Sequence, residues 1–465
     1  MKTPRVCFVC PYSYPLFNPD YHNMFGGWEV RISLLAKEIA KRGNFQVCLI
    51  VADAGQPHRE TRDGVELFSW QGKAFYGIQK SSLSQEAEEG NWLPPYRRAE
   101  SAKQAPAPKR LNVKAGRVSI RGYYKKIVPW RIRLLAHGLF DSLVFGVRAA
   151  GQHAASVIRI SRQAIGHISD LPVYPEMVQI FKEVDADIYV VPGNNHISAS
   201  VAWYCRQNRK AYIMLAGSDQ DFSPEILDNP NGVNTYGDSN LYRSFSIRNA
   251  RLHIVQTQHQ IELASRFGVS PILVPSPIDL ERKFPREENP DLILWVGNSN
   301  ERVKQPSVIL ELIRQLPDYR FTMIVTPVEQ ENYLRITEAA KGLSNLTLVS
   351  RIPFEEVERF YASARVLVNT SSFEGFPNAF LQAGKYGVPI VSLNVDPNGI
   401  FTGFACGLLC EGQEAKLKEA IERLMGDSAL YARLSSNILD YVRKNHDKEK
   451  IIPEYERIFC SILRK

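Results

Sequence analysis

Short apolar runs alternate with amphipathic helical stretches along most of this chain, and they do so in two series. The first series opens at Arg5-Val6-Cys7-Phe8-Val9-Cys10, an apolar run of strand length. A loop rich in Gly, Pro and Tyr follows and ends at Phe25-Gly26-Gly27. Beyond it, Ile32, Leu35, Ala36 and Ile39 fall on one helical face at the i, i+3, i+4, i+7 spacing. Val47-Cys48-Leu49-Ile50-Val51 is the next strand. Strand, loop, helix, strand predicts a βαβ beginning and an α/β fold. Apolar segments at 187–191, 212–215, 252–255 and 272–274 continue the rhythm.

The rhythm then breaks. Pro275-Ser276-Pro277 and the charged, Pro-bearing stretch after it are weakly apolar and predict a linker over 276–290. A second series begins at 292–296 and continues at 321–325, 346–349, 366–368 and 388–391. A chain of 465 residues exceeds one ordinary core. The expectation is therefore two parallel α/β domains, residues 1–275 and 291–465, facing across a cleft. The last helix is a candidate for crossing back to the first domain. In such an arrangement ligands bind at the carboxyl ends of the strands.

The composition, 44% hydrophobic and 23% charged, is that of a globular chain rather than a disordered one. Seven scattered Cys, an odd count, point to a reduced compartment and to small buried hydrophobes. Cys7 and Cys10 form a C-x-x-C, but inside a strand; a redox pair precedes a helix, and a zinc site needs further ligands. No run of 18 apolar residues and no signal-peptide pattern is present, so a cytoplasmic protein is expected. The net charge of +8 is local: residues 91–133 hold twelve Lys or Arg and one acid, so the remainder of the chain is slightly acidic. This stretch lies in a polar, Pro- and Ala-rich insertion over about 81–135 that interrupts the first domain. It is either a solvated insertion or a patch for peripheral contact with an anionic membrane on its inner face. No recognition motif accompanies it, so nucleic acid is not an expected partner.

The chemistry concentrates in Ser371-Ser372-Phe373-Glu374-Gly375-Phe376-Pro377-Asn378, which ends at Gln382 on an apolar helical run. The run 366–368 before it reads as a buried strand. One carboxylate, Glu374, and the free N–H groups of the following helix then face one crevice at a strand end. Such a helix terminus holds phosphate or hydroxyl oxygens.

These motifs resemble the retaining glycosyltransferases of the two-Rossmann-domain (GT-B) fold known as glycosyltransferase family 4. The likeness covers nearly the full chain apart from the basic insertion. It implies that Gly26-Gly27-Trp28-Glu29 is the family's Gly-Gly-x-Glu loop, approaching the donor diphosphate and the acceptor. It implies that Gly297 ends the first strand of the second domain and that Lys304, seven residues on, holds the leaving diphosphate. Asn298 stands where the family has Arg, so the site has one charge fewer. Glu374 matches the first of two glutamates and would contact the donor sugar. Gln382 replaces the second and would bond the ribose without a carboxylate's strength. Gly375, Phe376, Pro377 and Asn378 complete the donor loop. The family's histidine near the acceptor is absent; Asp219 takes that neighbourhood, and His196 on the preceding strand's end is a second catalytic candidate. Asp219-Gln220-Asp221 spells an Asp-x-Asp, but this fold implies no metal and no cofactor. The expected reaction moves a sugar from a nucleoside diphosphate to a hydroxyl acceptor, in glycolipid or polysaccharide synthesis, with a lipid-linked acceptor among the candidates. Two other readings stay open at this point: a catalytically impaired sugar-nucleotide-binding member, and a membrane-surface scaffold.

Overall fold

The computed structural model describes residues 3–21, 25–70, 175–234, 236–287, 289–350, 352 and 354–464. The first sheet holds β1 (Arg5–Val9), β2 (Gln46–Ala52), β3 (Arg59–Arg62), β4 (Val65–Trp70), β5 (Ile188–Pro192), β6 (Ala211–Leu215), β7 (Leu252–Val255) and β8 (Ile272–Leu273). Their order is β3-β4-β2-β1-β5-β6-β7-β8. Every neighbouring pair is parallel except β3–β4. The second sheet holds β9 (Leu292–Asn298), β10 (Arg320–Thr326), β11 (Leu346–Ser350), β12 (Val366–Asn369), β13 (Ile390–Ser392) and β14 (Gly407–Leu409), all parallel, in the order β11-β10-β9-β12-β13-β14. Both sheets belong to one compact unit.

The strand interiors are apolar on both faces because helices cover both faces. In β1, Val6 and Phe8 face one core cluster and Cys7 and Val9 the other. Cys7 sits opposite Cys48 of β2, and burial raises its thiol well above the ordinary range, which makes it an inert core residue. Cys10 is likewise buried, so the C-x-x-C is packing. The hairpin β3–β4 and the short strand β14 have no counterpart in the periodicity. The hairpin turns on Asp63 and Gly64, both at positive φ, and its outer strand has the mixed polar pattern of an edge.

The chain passes between the halves twice. Near residue 278 it enters the second half; at 446–448 it returns, and the two passages lie side by side. Ile278 donates to the His446 carbonyl at 2.7 Å and Lys448 donates to the Ile278 carbonyl at 3.0 Å. Lys448 Nζ then joins Asp279 at 2.8 Å and Glu38, on the helix Gly27–Arg42, at 2.9 Å. The final helix, Lys448–Leu463, contributes Ile451, Ile452, Tyr455, Ile458 and Phe459 to the core of the first sheet. The basic stretch 91–133 lies outside the described residues, as does the rest of the insertion over about 81–135.

Candidate active site

Strand order reverses between β9 and β12 in the second sheet and between β1 and β5 in the first. At each reversal the connections diverge to opposite faces and leave a crevice at the strand ends. The residues singled out from sequence gather on these two crevices.

In the second half, Gly297 closes β9. A Cβ there would stand 2.5 Å from the Trp295 ring, so only glycine fits. The chain turns through the short helix Glu301–Lys304 and passes Gln305 at a positive φ of 48°. Trp295 Nε1–H donates to Thr370 Oγ1 at 2.9 Å, and the Thr370 hydroxyl donates to the Lys304 carbonyl at 2.6 Å. Ser372 N–H donates to the Val303 carbonyl at 2.9 Å. These bonds tie the loop after β9 to the loop after β12 and present Lys304 Nζ to Glu374 Oε1, with which it is ion-paired. Ser371 Oγ donates to the same carboxylate oxygen at 2.8 Å.

Pro377 is the N-cap of the helix Asn378–Lys385, with no side-chain cap. The N–H groups of Gly375, Phe376, Asn378 and Ala379 meet no acceptor among the described residues. Asn298 Oδ1 accepts from Asn300 N–H at 3.0 Å, which leaves its amide NH2 unengaged. Gln382 is half-buried on the second turn of that helix, also without a partner. Phe376 lies in the same loop. It is buried in the core against the His446 ring, centroids 4.5 Å apart, and offers a ligand only its backbone.

In the first half, Gly26 and Gly27 open the helix Gly27–Arg42, and Gly26 N–H donates to Glu29 Oε2 at 2.7 Å. Glu29 thus holds the glycine loop, and burial raises its carboxyl, partly offset by the backbone N–H groups of Gly26 and Glu29. The Asp-x-Asp divides into two unlike acids. Asp221 accepts from Asn194 N–H and Gly217 N–H at 2.8 Å and from Ser218 N–H at 3.0 Å, joining the ends of β5 and β6. Its oxygens are committed to the backbone. Asp219 is more open, with Oδ1 buried beside the Gln260 amide. Burial pushes its carboxyl up to about 6; His259 and Gln260 pull it down, and Asp221 and Glu374 add to the rise. His196 begins the helix His196–Asn208, its Nδ1 3.0 Å from Asp238 Oδ1. Its ring is held by a loop acid that the sequence pattern did not single out.

The two crevices meet. A Cβ on Gly375 would stand 2.7 Å from both the Gly217 carbonyl oxygen and Gln260 Nε2, and one on Gly27 would stand 3.3 Å from the Asn378 Cβ. Asn398, at a positive φ of 56°, accepts from Gln258 N–H at 2.9 Å across the same line. Gly26, Gly27, Asp219, Lys304, Glu374, Gly375 and Asn378 therefore border one seam. Sequence reasoning missed the anchor Thr370, the anchoring role of Ser371 and the buried Gln260; the Ser/Thr run before Glu374 was the available signal for the first two.

Three comparisons bear on this arrangement. Residues 290–427 match the family model described as "Glycosyl transferases group 1". The chain is 28% identical over 160 residues to "Glycosyltransferase 1 domain-containing protein 1" of Xenopus tropicalis, which covers 34% of this chain and 43% of that protein. It therefore spans less than half the length of that curated relative. Among solved structures, sucrose-phosphate synthase of Thermosynechococcus elongatus superposes with a TM-score of 0.64 at 16% identity, over 99% of each chain. Anabaena HepE in complex with UDP and glucose superposes with a TM-score of 0.59 at 12% identity, over 98% of this chain and 100% of that one.

Proposed function

We propose that this chain, which carries a group 1 glycosyltransferase domain on a GT-B fold, moves a sugar from a nucleoside diphosphate to an acceptor hydroxyl with retention at the anomeric carbon. The observation that carries the proposal is the Lys304–Glu374 pair, set beside unengaged helix N–H groups at the β9–β12 reversal. A cation and backbone donors fit a diphosphate whose charge grows as it leaves. A carboxylate beside them fits the hydroxyls of the sugar. HepE, solved with UDP and glucose, supports a nucleoside diphosphate hexose as the donor class.

In this reading the diphosphate takes Lys304 Nζ from Glu374, and the freed carboxylate accepts from sugar hydroxyls. The N–H groups of Gly375, Phe376, Asn378 and Ala379, with the Gly26–Gly27 backbone opposite, receive the phosphate oxygens. Asn298 adds a neutral donor and Gln382 reaches for the ribose. The bond from C1 to the diphosphate oxygen breaks as C1 bonds the acceptor oxygen on the same face, and a phosphate oxygen takes the acceptor's proton. Contact between the halves at Gly375 excludes water from C1. Retention rests on the family resemblance, as does a role in glycolipid or polysaccharide synthesis.

Asn298 and Gln382, both neutral, favour a second reading: binding without turnover. Calorimetry and transfer assays across nucleotide sugars separate the two. The expected result is one sugar nucleotide bound and turned over; binding without turnover selects the second reading, and no binding overturns both. Peripheral membrane contact through residues 91–133 and a cytoplasmic location belong to the same proposal. Charge is what supports the first, and liposome co-sedimentation insensitive to salt would remove it. No helix among the described residues is long and apolar enough to cross a membrane.

A further inference from the structure

The line on which the halves meet is held without a shared core. Among the described residues, no apolar cluster joins buried residues of the first sheet with buried residues of the second. An edge-on ring pair, Phe25 with Phe354, centroids 5.9 Å apart, adds apolar contact. Halves that lack a large apolar interface move relative to one another unless something else holds them.

The loop after β13 carries such a holder. Asn398 stands in its short 3-10 turn, Pro397–Gly399, at φ 56° and ψ 22°. Asp396 fixes the loop from within. Its carboxylate accepts from Phe401 N–H at 2.8 Å, Thr402 N–H at 3.2 Å and the Thr402 hydroxyl at 2.7 Å. Both ends of the Asn398 amide then reach the first half. Oδ1 accepts from Gln258 N–H at 2.9 Å, and Nδ2 donates to the Gln256 carbonyl at 3.3 Å. Gln258 opens the helix Gln258–Ser265, so its N–H has no partner within that helix. At a left-handed φ a glycine costs least, but a glycine lacks this amide.

The receiving segment is braced. Gln256 Nε2 donates to the Ala216 carbonyl at 2.8 Å, its Oε1 accepts from the Ser276 hydroxyl, and its N–H donates to Gln260 Oε1 at 2.8 Å. Arg31, buried on the helix Gly27–Arg42, donates to the same Ala216 carbonyl at 3.2 Å and to the Tyr455 hydroxyl of the final helix at 2.6 Å. Ala216 precedes Gly217, the residue that Gly375 of the donor loop approaches. What Asn398 grips is therefore tied to the point where the seam closes.

We propose that Asn398 is a latch that holds the two halves closed across the donor crevice and releases them when they part. Two neutral hydrogen bonds are weak enough to break and re-form, because water satisfies the same groups in the open form. The crossing near 278 and 446 stays joined and acts as the hinge. The donor that the latch closes over is that of the transferase reading, on which this part of the inference rests.

The test is the distance between spin labels on Arg266→Cys and Lys341→Cys, both exposed sites, one on each half. The full chain also carries Cys460→Ser, since the other six cysteines are buried. With Asn398 intact, the labels should show the single separation that the closed structure sets. Asn398→Gly keeps the backbone conformation and should move the closed-to-open ratio roughly tenfold toward open. Asn398→Asp keeps the acceptor for Gln258 N–H, loses the donor to the Gln256 carbonyl, and should fall between. Identical distances in the parent and Asn398→Gly overturn the latch, as does a parent that is already open. Calorimetry with UDP, GDP and ADP separates the two readings. A parent that binds one of them, with no opening in Asn398→Gly, sinks the latch alone. Opening in Asn398→Gly with none of the three bound leaves the latch and sinks the transferase reading.

Discussion

The two strand reversals use their polar groups in opposite ways. At β9–β12 the charged side chains face one another: Lys304 and Glu374 pair across the crevice, and the helix N–H groups beside them are open. At β1–β5 the acids are occupied by the backbone: Glu29 holds the glycine loop and Asp221 ties β5 to β6. What remains open there is Asp219 and backbone. In the proposed reading one half receives charge, and the other holds shape and receives hydroxyls. The same α/β reversal supports either, because the fold supplies the crevice and the loop residues supply the chemistry.

The sharpest way to break this contrast is Lys304→Ala. If the second half carries the charge, the change removes ~2–4 kcal/mol of transition-state stabilisation, roughly 30- to 900-fold in kcat/KM. A parent-like kcat/KM would show that the anion is held elsewhere.

Gly375→Ala tests whether the halves must touch. The added methyl meets the Gly217 carbonyl and the Gln260 amide, each 2.7 Å away in the present geometry, and so wedges the seam. Displacement by about 1 Å can lower turnover on the order of a hundredfold. Nucleotide affinity, which belongs to the second half, should fall much less. Equal losses in both would mean that the wedge disrupts the donor loop rather than closure.

Acid should loosen the crossing between the halves. His446 is buried, its Nδ1 2.8 Å from the Ser276 carbonyl. Burial lowers its pKa to about 4, with Arg31 adding to the fall and the Ser276 bond opposing it. The unfolded chain, with histidine near 6.5, binds the extra proton first. Stability from this group is therefore full above about pH 6.5 and is lost as pH falls toward 4, by about 3 kcal/mol in all. Urea unfolding at pH 7.5 and pH 4.5 measures it. His446→Gln should flatten the dependence, and an unchanged slope would remove His446 as its source.

The smallest effect is expected at Asn298. Asn298→Arg adds a guanidinium fork suited to phosphate and should tighten nucleoside diphosphate binding by a few-fold, about 1 kcal/mol. Unchanged affinity in calorimetry would show that the loop after β9 directs this position away from the phosphates.

Much of the second half is legible in the chain because its site is local. Gly297, Lys304, Glu374 and Gln382 lie at short, fixed spacings on two strand-loop-helix units, and apolar runs place β9, β10 and β12 within a residue or two of their observed bounds. The hairpin β3–β4 was not legible. Its outer strand β3 pairs only with β4, and an edge strand needs no apolar alternation.

By itself the sequence determined the α/β class, the two series of strands and the residues that meet on the loops after β9 and β12, since periodicity and loop chemistry are properties of neighbouring residues. Only the tertiary structure decided which acid of Asp219-Gln220-Asp221 stays open, that the Phe376 ring turns into the core, and that His196 is held on Asp238. It alone set Asn398 against Gln256 and Gln258. Each of these depends on partners far away in the chain, whose approach is fixed by how the strands pack and not by any local pattern.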